Sequence, residues 1–250
     1  MLKREELEKL KSVTGFNIWQ IERDYLQHLF LLFLSRYVRD ELVFKGGTAL
    51  QKVYALNRFS IDLDFTLKDI DFDLQTLFKK IVSDFNNFGL KVEMKKLKKG
   101  VSESIVLKIQ GPLYDGTERS LSSLRIEISL REKIILGFDA KEIVPVYSDI
   151  QPYIIAVMKL EEILAEKIRT ILTRTKARDL YDLWFLIKKG VRIDEKIINE
   201  KLDYYNLKFN KDKFLSNAEK IEKTWEKELE LLVSLTPDFK TVLKEIKEKF

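Results

Sequence analysis

The spacing of apolar side chains divides the chain into a first part with strand-like runs and a second part with helical periodicity. In the first part the predicted strands lie at 41–44, 61–67, 90–95, 104–110 and 124–131, and the predicted helices at 17–38, 48–56 and 72–86. In the second part the predicted helices lie at 153–173, 177–189, 194–202, 211–233 and 237–249. The pattern predicts an α+β protein: a mixed sheet with covering helices over residues 1–148, including N-terminal helices, followed by a C-terminal helical domain over residues 149–250.

The composition limits the kinds of site that the chain can build. With 250 residues and 45% hydrophobic content, it can bury a substantial core. It has no cysteine, so disulfides and thiolate metal sites are excluded, and a metal ion would be held by oxygen ligands or by the single histidine, His28. Because His28 lies within a predicted apolar helix, we expect it to be structural.

Two features of the sequence disfavour a membrane role. The longest apolar run, residues 29–34, has six residues, whereas a helix that spans a bilayer needs about twenty. Residues 1–11 are dense in charge and do not resemble a signal peptide. We therefore expect a cytoplasmic protein in which residues 29–34 belong to a buried helix.

The charge balance is mildly basic, with 45 Lys and Arg against 40 Asp and Glu and a formal net charge of +5. Basic side chains are concentrated at residues 95–99, at residues 188–189 and between Arg169 and Arg178. A basic patch near an active site would favour a polyanionic acceptor such as RNA. Because Lys and Glu are both abundant, many of these charges are also expected on plain solvated surface.

Residues 60–65 carry the first candidates for chemistry. Side chains alternate between faces in an extended segment, so Ser60, Asp62 and Asp64 are expected on one face and three apolar side chains on the other. Two carboxylates this close repel each other unless a cation neutralises them, which favours a divalent metal site. The alternative is an ordinary solvated strand edge.

A glycine turn precedes this segment. Gly46 and Gly47 follow a short buried strand, and Thr48 is predicted to cap a helix that begins at Ala49. A helix N-terminus presents free backbone N–H groups and a partial positive charge, which suits a triphosphate. Alone, the Gly-Gly-Thr sequence is more typical of a simple turn. Here it follows a strand and precedes a helix and a strand with two aspartates, and this succession favours a nucleotide and metal site.

Lys167 lies within the apolar stripe of the helix predicted from Tyr153 to Leu172. A buried ammonium needs an anion, which either a triphosphate or a carboxylate would supply. The alternative is that the ammonium reaches solvent past the apolar face.

Arg178, Asp179 and Asp182 open the next predicted helix. Acidic residues near a helix start are stabilised by the helix dipole, and Arg178 can pair with Asp182 one turn later. Local structure alone could therefore explain these three charges, and a role in the site is the second interpretation.

Several of these segments together resemble a known family. The chain resembles the AbiEii/AbiGii toxin family of nucleotidyltransferases, a branch of the polymerase-beta-like nucleotidyltransferase superfamily. The resemblance rests on Lys45 to Leu50, Arg58 to Phe65, Glu162 to Lys167, Arg174, and Ala177 to Leu183, and extends from about Tyr25 to Leu186 with a looser match around Trp225 and Phe239. It implies a nucleotidyltransferase-like sheet in residues 1–148.

The resemblance implies a third carboxylate on a neighbouring strand. Residues 124–130 alternate between apolar and polar positions, and Glu127 lies on the polar face. Glu127 is therefore the candidate third metal ligand. The alternative is an exposed strand glutamate paired with Arg125 or Arg131.

The implied reaction is transfer of a nucleoside monophosphate from a nucleoside triphosphate to an acceptor hydroxyl, with Asp62, Asp64 and Glu127 positioning two Mg²⁺ ions. The nucleotide contacts would be Gly46, Gly47, Thr48, Ser60, Lys167 and Arg178. Lys167 and Asp179 would complete the catalytic set, Asp179 as base or organiser of the site. The resemblance further implies an RNA acceptor such as the 3′ end of a tRNA, and a cognate antitoxin.

Two other classes of function stay open at this point. A metal-dependent phosphodiesterase or nuclease could use the same carboxylates but would not need the glycine turn, and it would release no pyrophosphate from a nucleoside triphosphate. A non-catalytic nucleic-acid-binding module would bind equally well with Asp62 and Asp64 replaced by asparagine.

Overall fold

The computed structural model describes residues 1–98 and 102–250. The strands of these residues are β1 (Leu42–Lys45), β2 (Leu63–Leu67), β3 (Val92–Lys98), β4 (Ser102–Ile109), β5 (Ser122–Ser129), β6 (Phe138–Ile143) and β7 (Tyr153–Met158). The α-helices are α1 (Arg4–Lys9), α2 (Lys11–Thr14), α3 (Ile18–Ser35), α4 (Gly46–Tyr54), α5 (Leu74–Asn87), α6 (Leu160–Thr173), α7 (Ala177–Lys188), α8 (Glu195–Asp203), α9 (Lys211–Lys220), α10 (Trp225–Leu229) and α11 (Phe239–Lys247). None of the helices in the described ranges is long and apolar enough to cross a membrane.

The chain divides into two units by its internal contacts. The first unit consists of Met1–Val53, Ile61–Lys133 and Asp139–Val157. The second unit consists of Tyr54–Ser60, Ile134–Phe138 and Met158–Phe250. The sheet belongs to the first unit, and helices α6 to α11 belong to the second.

The sheet is mixed, as the apolar pattern predicted, and its strand order is β3-β4-β5-β2-β1-β7-β6. Antiparallel pairs join β1 to β2, β3 to β4 and β4 to β5. Parallel pairs join β2 to β5 and β1 to β7. Because β2 and β5 run side by side in the same direction, the two acidic strand segments predicted from the sequence are direct neighbours.

One face of the sheet forms the core of the first unit. The apolar positions of β5, Leu124, Ile126 and Ile128, are fully buried, whereas the alternate positions are partly or fully exposed. Aromatic side chains continue this layer: the Phe65 ring lies 5.2 Å from that of Phe44 and 6.3 Å from that of Phe30 on α3. Burial of this face leaves the opposite face of β2 and β5 for polar side chains.

His28 is buried in α3 and is structural, as predicted. Its Nδ1 lies 2.8 Å from the Tyr153 hydroxyl, and its Nε2 lies 3.5 Å from an Asp24 oxygen. Burial and the nearby Lys52 lower the pKa of His28 to about 3, with Asp24 opposing them. The imidazole is therefore neutral at physiological pH.

The prediction of a helix from residue 153 was wrong at its beginning. Residues Tyr153–Met158 form β7, whose Val157 pairs with Phe44 of β1, and helix α6 begins only at Leu160. A short apolar run is compatible with either a buried helix or a buried strand, so periodicity could not separate them. The first of the two units includes residues up to Val157, and the domain boundary after residue 148 stays a prediction.

Two further elements differ from the sequence prediction. The short strand β6, whose residues include two acidic side chains and a lysine, was missed because it lacks an apolar alternation. The single helix predicted at 211–233 is α9, a 3₁₀ helix at Ile221–Thr224, and α10. There the indole of Trp225 is buried and donates to the Pro237 carbonyl. Tertiary contact therefore overrides the local helical pattern at this point.

Candidate active site

A row of polar side chains crosses four strands of the first unit. Lys45 of β1 is paired in register with Asp64 of β2, Asp64 with Glu127 of β5, and Glu127 with Ser104 of β4. Residues paired across neighbouring strands project from the same face of a sheet, with Cβ atoms roughly 5 Å apart. The row therefore brings Asp64 and Glu127 together on the face opposite the core.

Glu127 is held in this row by its neighbour on β4. The Ser104 hydroxyl, itself buried, donates to Glu127 Oε1 at 2.7 Å. Arg125 lies two residues earlier on the same face of β5 and is exposed. Glu127 thus has a hydrogen bond that orients its carboxylate in the row.

Asp62 lies just before β2 and is half-buried. Two hydrogen bonds hold the backbone around it: the Thr48 hydroxyl donates to the Asp62 carbonyl, and Gln27 Nε2 donates to the Ile61 carbonyl at 2.9 Å. The polypeptide that carries Asp62 into the strand is therefore tied to both α3 and α4.

This contact corrects the role predicted for Thr48. Helix α4 begins at Gly46, two residues before Thr48, so Thr48 is not the helix cap. Gly46 has φ +72°, which lets the chain turn from strand to helix without an intervening cap residue. The Thr48 side chain instead joins the first turn of α4 to the Asp62 segment.

Gly46 also lies directly against Asp64. A Cβ placed on Gly46 would be 2.5 Å from Asp64 Oδ2 and 3.0 Å from Asp64 Cβ. Such contacts are closer than van der Waals separation, so a side chain at this position would displace the Asp64 carboxylate. The glycine turn and the aspartate segment were predicted from separate motifs, and they meet where Gly46 lies against Asp64.

The arrangement only partly matches the predicted metal site. Within residues 1–98 and 102–250, no group of three or more His, Cys, Asp and Glu side chains is arranged to hold a metal ion. Asp64 and Glu127 offer neighbouring carboxylates, which are the hard oxygen ligands that Mg²⁺ prefers. The donor chemistry therefore fits a divalent cation, while the assignment of Asp62, Asp64 and Glu127 as its ligands stays a prediction.

The second unit contains a network of charged side chains. Arg58 binds Asp182 through two hydrogen bonds, from Nε at 2.6 Å and from Nη2 at 2.7 Å. Lys167 Nζ lies 2.7 Å from Asp182 Oδ2 and 3.2 Å from Asp179 Oδ1. Arg174 in turn donates to both oxygens of Asp179. These five side chains carry three positive and two negative charges.

Lys167 is 8% exposed, which confirms its predicted burial. Of the two anions that were expected to satisfy it, the structure shows carboxylates, those of Asp179 and Asp182. The alternative prediction, in which the Lys167 ammonium reaches solvent past the apolar face, is therefore wrong. Its helix is also shorter than predicted, because the first part of the predicted stripe belongs to β7.

The network keeps both aspartates ionised. Burial would raise the pKa of Asp179, but Lys167 and Arg174 outweigh burial and lower it to about 2. Burial would likewise raise the pKa of Asp182, but Arg58 and Lys167 lower it. A carboxylate with the pKa of Asp179 is a poor proton acceptor at neutral pH.

The predicted pairing of Arg178 with Asp182 was wrong. Among the described residues, the ion-pair partners of Asp182 are Arg58 and Lys167. Arg178 is half-buried in the first turn of α7, where its charge helps to lower the pKa of Asp179. Helical spacing makes the pairing of Arg178 and Asp182 available, but the buried guanidinium of Arg58 binds both Asp182 oxygens.

Ser60 is buried in the second unit, next in sequence to the segment that holds Asp62. The residues missed by sequence reasoning are Arg58, Lys45, Glu132 and Ser104. Arg58 and Lys45 belong to the motif segments and could have been suspected from their position beside the aspartates and glycines. Nothing in the sequence marks Ser104 or Glu132, because their roles depend on strand register.

Comparison with known proteins decides the family. The profile described as "Nucleotidyl transferase AbiEii toxin, Type IV TA system" matches residues 32–245. The chain belongs to the AbiEii family. It is therefore a nucleotidyltransferase toxin of a type IV toxin–antitoxin system, which confirms the resemblance drawn from the motifs. No curated protein matched the chain.

Solved structures share the fold of the AbiEii chain. MenT4, a nucleotidyltransferase toxin of Mycobacterium tuberculosis, is 18% identical, with a TM-score of 0.72 over 100% of this chain and 89% of the other. JHP933 of Helicobacter pylori is 23% identical, with a TM-score of 0.63 over 94% of this chain and 91% of the other. These likenesses confirm the α+β nucleotidyltransferase fold.

Proposed function

We propose that this AbiEii protein transfers a nucleoside monophosphate from a nucleoside triphosphate to a hydroxyl of RNA, such as the 3′ end of a tRNA, in a metal-dependent reaction. The observation that carries the proposal is the apposition of Gly46, at the start of α4, with Asp64, whose register partner is Glu127. Phosphate binding at a helix start and cation binding at paired carboxylates are the two requirements of such a transfer.

The first unit would bind the triphosphate at the start of α4. Backbone N–H groups in the first turn of a helix have no partner within the helix and point toward a ligand at its N-terminus. Gly46, Gly47 and Thr48 supply this turn. A bulky side chain at Gly46 would block the approach of the phosphates as well as displace Asp64.

Asp62, Asp64 and Glu127 would hold up to two Mg²⁺ ions. Bound there, the ions would neutralise the charge that develops on the triphosphate and lower the pKa of the attacking hydroxyl. Ser104 would contribute by keeping Glu127 oriented. The chain's own task is to hold these oxygens in place before the substrates arrive.

For the second unit we propose that Lys167, Arg178 and Ser60 contact the nucleotide. The support is the surplus of positive charge in the network of Arg58, Lys167 and Arg174 with its two aspartates. In this proposal Asp179 and Asp182 hold the Lys167 ammonium in one position. Asp179 is then a positioning residue, because its low pKa makes it a weak base.

An RNA acceptor is supported by basic side chains on the same sheet face as Glu127. Lys95 of β3 and Arg125 of β5 are both paired in register with Val106 of β4, and both are exposed. A row of cations beside paired carboxylates would bind the phosphates of a polyanionic acceptor. Of the basic run at 95–99, Lys99 lies outside the described residues.

A cognate antitoxin follows from the family, whose members belong to type IV toxin–antitoxin systems. We infer that such an antitoxin counteracts the transferase. Nucleoside triphosphates and tRNA are found in the cytoplasm, where we place the reaction.

The test is to incubate the purified protein with Mg²⁺, total cellular RNA and each of the four α-labelled nucleoside triphosphates in turn. We expect label on one RNA size class, with release of pyrophosphate and no shortening of the RNA. Shortened RNA without pyrophosphate would instead identify a nuclease.

The matched variants for this experiment are Asp64→Asn and Asp71→Asn. Asp71 is an exposed aspartate of the same unit, so its substitution controls for loss of one acidic charge. We expect Asp64→Asn to lower transfer at least about a hundredfold, because metal-assisted charge stabilisation is worth several kcal/mol. Unchanged transfer by Asp64→Asn would reject the proposed site.

A further inference from the structure

Lys45 is a buried cation that the proposed reaction has not used. It is 7% exposed, and its Nζ donates to Glu132 Oε2 at 2.9 Å. Glu132 is 3% exposed and is positioned by a turn after β5 in which its N–H donates to the Ser129 hydroxyl. The two side chains therefore form a buried ion pair at the edge of the acidic row.

Stability alone does not account for this pair. A buried ion pair is seldom more stable than an apolar pair of similar volume, because desolvation offsets the attraction of the charges. A charged pair at this position is better explained by an effect on its surroundings.

The surroundings of Lys45 are acidic. Its register partner is Asp64, which in turn neighbours Glu127. From β1 to β5 the row therefore places a positive charge beside two negative charges, and Glu132 accepts a hydrogen bond from the same ammonium. A divalent cation that binds Asp64 and Glu127 would be repelled by this ammonium at short range.

We propose that Lys45, tethered by Glu132, is a built-in counter-cation that weakens binding of a divalent ion to Asp64 until the nucleotide is present. The proposal rests on the metal-dependent function proposed above. In the free protein, Lys45 balances the carboxylates and holds their geometry. When a triphosphate arrives at the start of α4, its negative charges offset the ammonium and the cation binds together with the nucleotide. Lys45 is thus a positioning residue that couples metal binding to nucleotide binding.

The two members of the ion pair should have opposite effects on metal affinity. In Glu132→Gln the Lys45 ammonium no longer faces the charge of Glu132 and interacts more strongly with Asp64. A divalent ion should therefore bind Asp64 more weakly in this variant. In Lys45→Met the repelling charge is gone, so the ion binds more tightly. We expect roughly a tenfold change in each direction for one unit charge at this range.

In the experiment, the nucleotide-free protein is titrated with Mn²⁺ alone, and calorimetry measures the binding. Circular dichroism verifies that each variant is folded. Lys45→Met removes the ammonium that donates to the buried carboxylate of Glu132, and it can fail to fold for that reason. The double variant Lys45→Met/Glu132→Leu removes both charges and avoids that cost. The double variant and Glu132→Gln both lack the Glu132 carboxylate, so comparing them isolates the effect of the Lys45 ammonium. The double variant should bind Mn²⁺ about tenfold more tightly than Glu132→Gln.

Equal Mn²⁺ affinity in Glu132→Gln and the double variant would overturn the role of Lys45, even if Lys45→Met does not fold. Asp64→Asn separates this failure from failure of the proposed function. If Asp64→Asn abolishes Mn²⁺ binding while the Lys45 and Glu132 variants leave it unchanged, the metal site stands and the counter-cation is rejected. If Asp64→Asn leaves Mn²⁺ binding unchanged, the metal site itself is rejected, and the counter-cation with it.

Discussion

At the scale of single residues, Gly46 shows how a backbone requirement and a chemical site coincide. Its φ of +72° favours glycine, and its missing side chain leaves room for the Asp64 carboxylate. Either condition alone would select glycine. Together they explain why glycine lies directly against the Asp64 carboxylate.

Gly46→Ala is expected to lower both stability and transfer. The left-handed backbone costs about 1–2 kcal/mol for a residue with a Cβ, and the new Cβ also displaces Asp64. The matched control is Gly190→Ala, at φ +78°, where an added Cβ would have nothing within 4 Å of it. Urea unfolding should show a loss in both variants, whereas transfer should fall only in Gly46→Ala. Normal transfer by a folded Gly46→Ala protein would contradict the placement of Asp64.

The pKa of Asp179 leads to a prediction about acid stability. Its value of about 2 in the folded protein lies below the ordinary 3.8, so ionised Asp179 stabilises the fold above about pH 4, and this contribution is lost as the pH falls toward 2. The shift corresponds to about 2 kcal/mol. The difference in unfolding free energy between wild type and Asp179→Asn should shrink by that amount between about pH 6 and pH 2. A difference that does not change with pH would show that Asp179 is not held ionised by its neighbours.

At the scale of elements, the charged network joins the segment at Arg58 to helices α6 and α7 of the second unit. The Arg58 guanidinium is buried and binds both oxygens of the fully buried Asp182. The Tyr181 hydroxyl on α7 also donates to the Asn57 carbonyl, next to Arg58. These contacts hold α7 against the 54–60 segment by polar interactions rather than by apolar packing alone.

Asp182→Asn is expected to destabilise the protein by about 3–5 kcal/mol, because it leaves the buried Arg58 without a charged partner. The control is Asp203→Asn, which breaks an exposed ion pair with Lys208 and should change the melting temperature little. Calorimetric unfolding of the two variants measures the difference. Equal melting temperatures would indicate that Arg58 finds another anion when Asp182 is neutralised.

At the scale of the whole molecule, binding of the proposed RNA acceptor would depend on where the basic side chains lie. The net charge of +5 is small, so the placement of cations matters more than their number. Lys95 and Arg125 lie on the sheet face that also carries Glu127. If RNA is the acceptor, this face should contribute to its binding.

Arg125→Glu combined with Lys95→Glu should reduce RNA labelling and its dependence on salt. Each phosphate contact that is lost lowers the salt dependence of binding by about one unit of slope. Lys208→Glu combined with Lys213→Glu, at two exposed positions of the second unit, serves as the charge-matched control. Binding of the nucleoside triphosphate should be unchanged in the double variant. RNA labelling equal to that of wild type would place the acceptor elsewhere.

The sequence was most informative where local chemistry and periodicity agree. The alternation in β5 and β2 follows from a spacing of two residues, and the burial of Lys167 follows from a spacing of three to four residues. Those patterns predicted the mixed sheet and the second, helical part of the chain, whereas the neighbouring position of the two acidic strands was implied by the family resemblance. They were less reliable at 153–158, where an apolar run fits two structures, and at 211–233, where tertiary contact ends a helix early.

By itself, then, the sequence determined the kind of fold, the acidic strands and the glycine turn, because each depends on residues near one another in the chain. Tertiary structure decided which distant side chains meet: Lys45 with Asp64 and Glu132, Ser104 with Glu127, and Arg58 with Asp182. These partners are up to 124 residues apart in the chain. Their pairing depends on strand register and helix packing, because burial of the apolar faces fixes where the charged side chains lie. No local sequence pattern shows which distant side chains will pair.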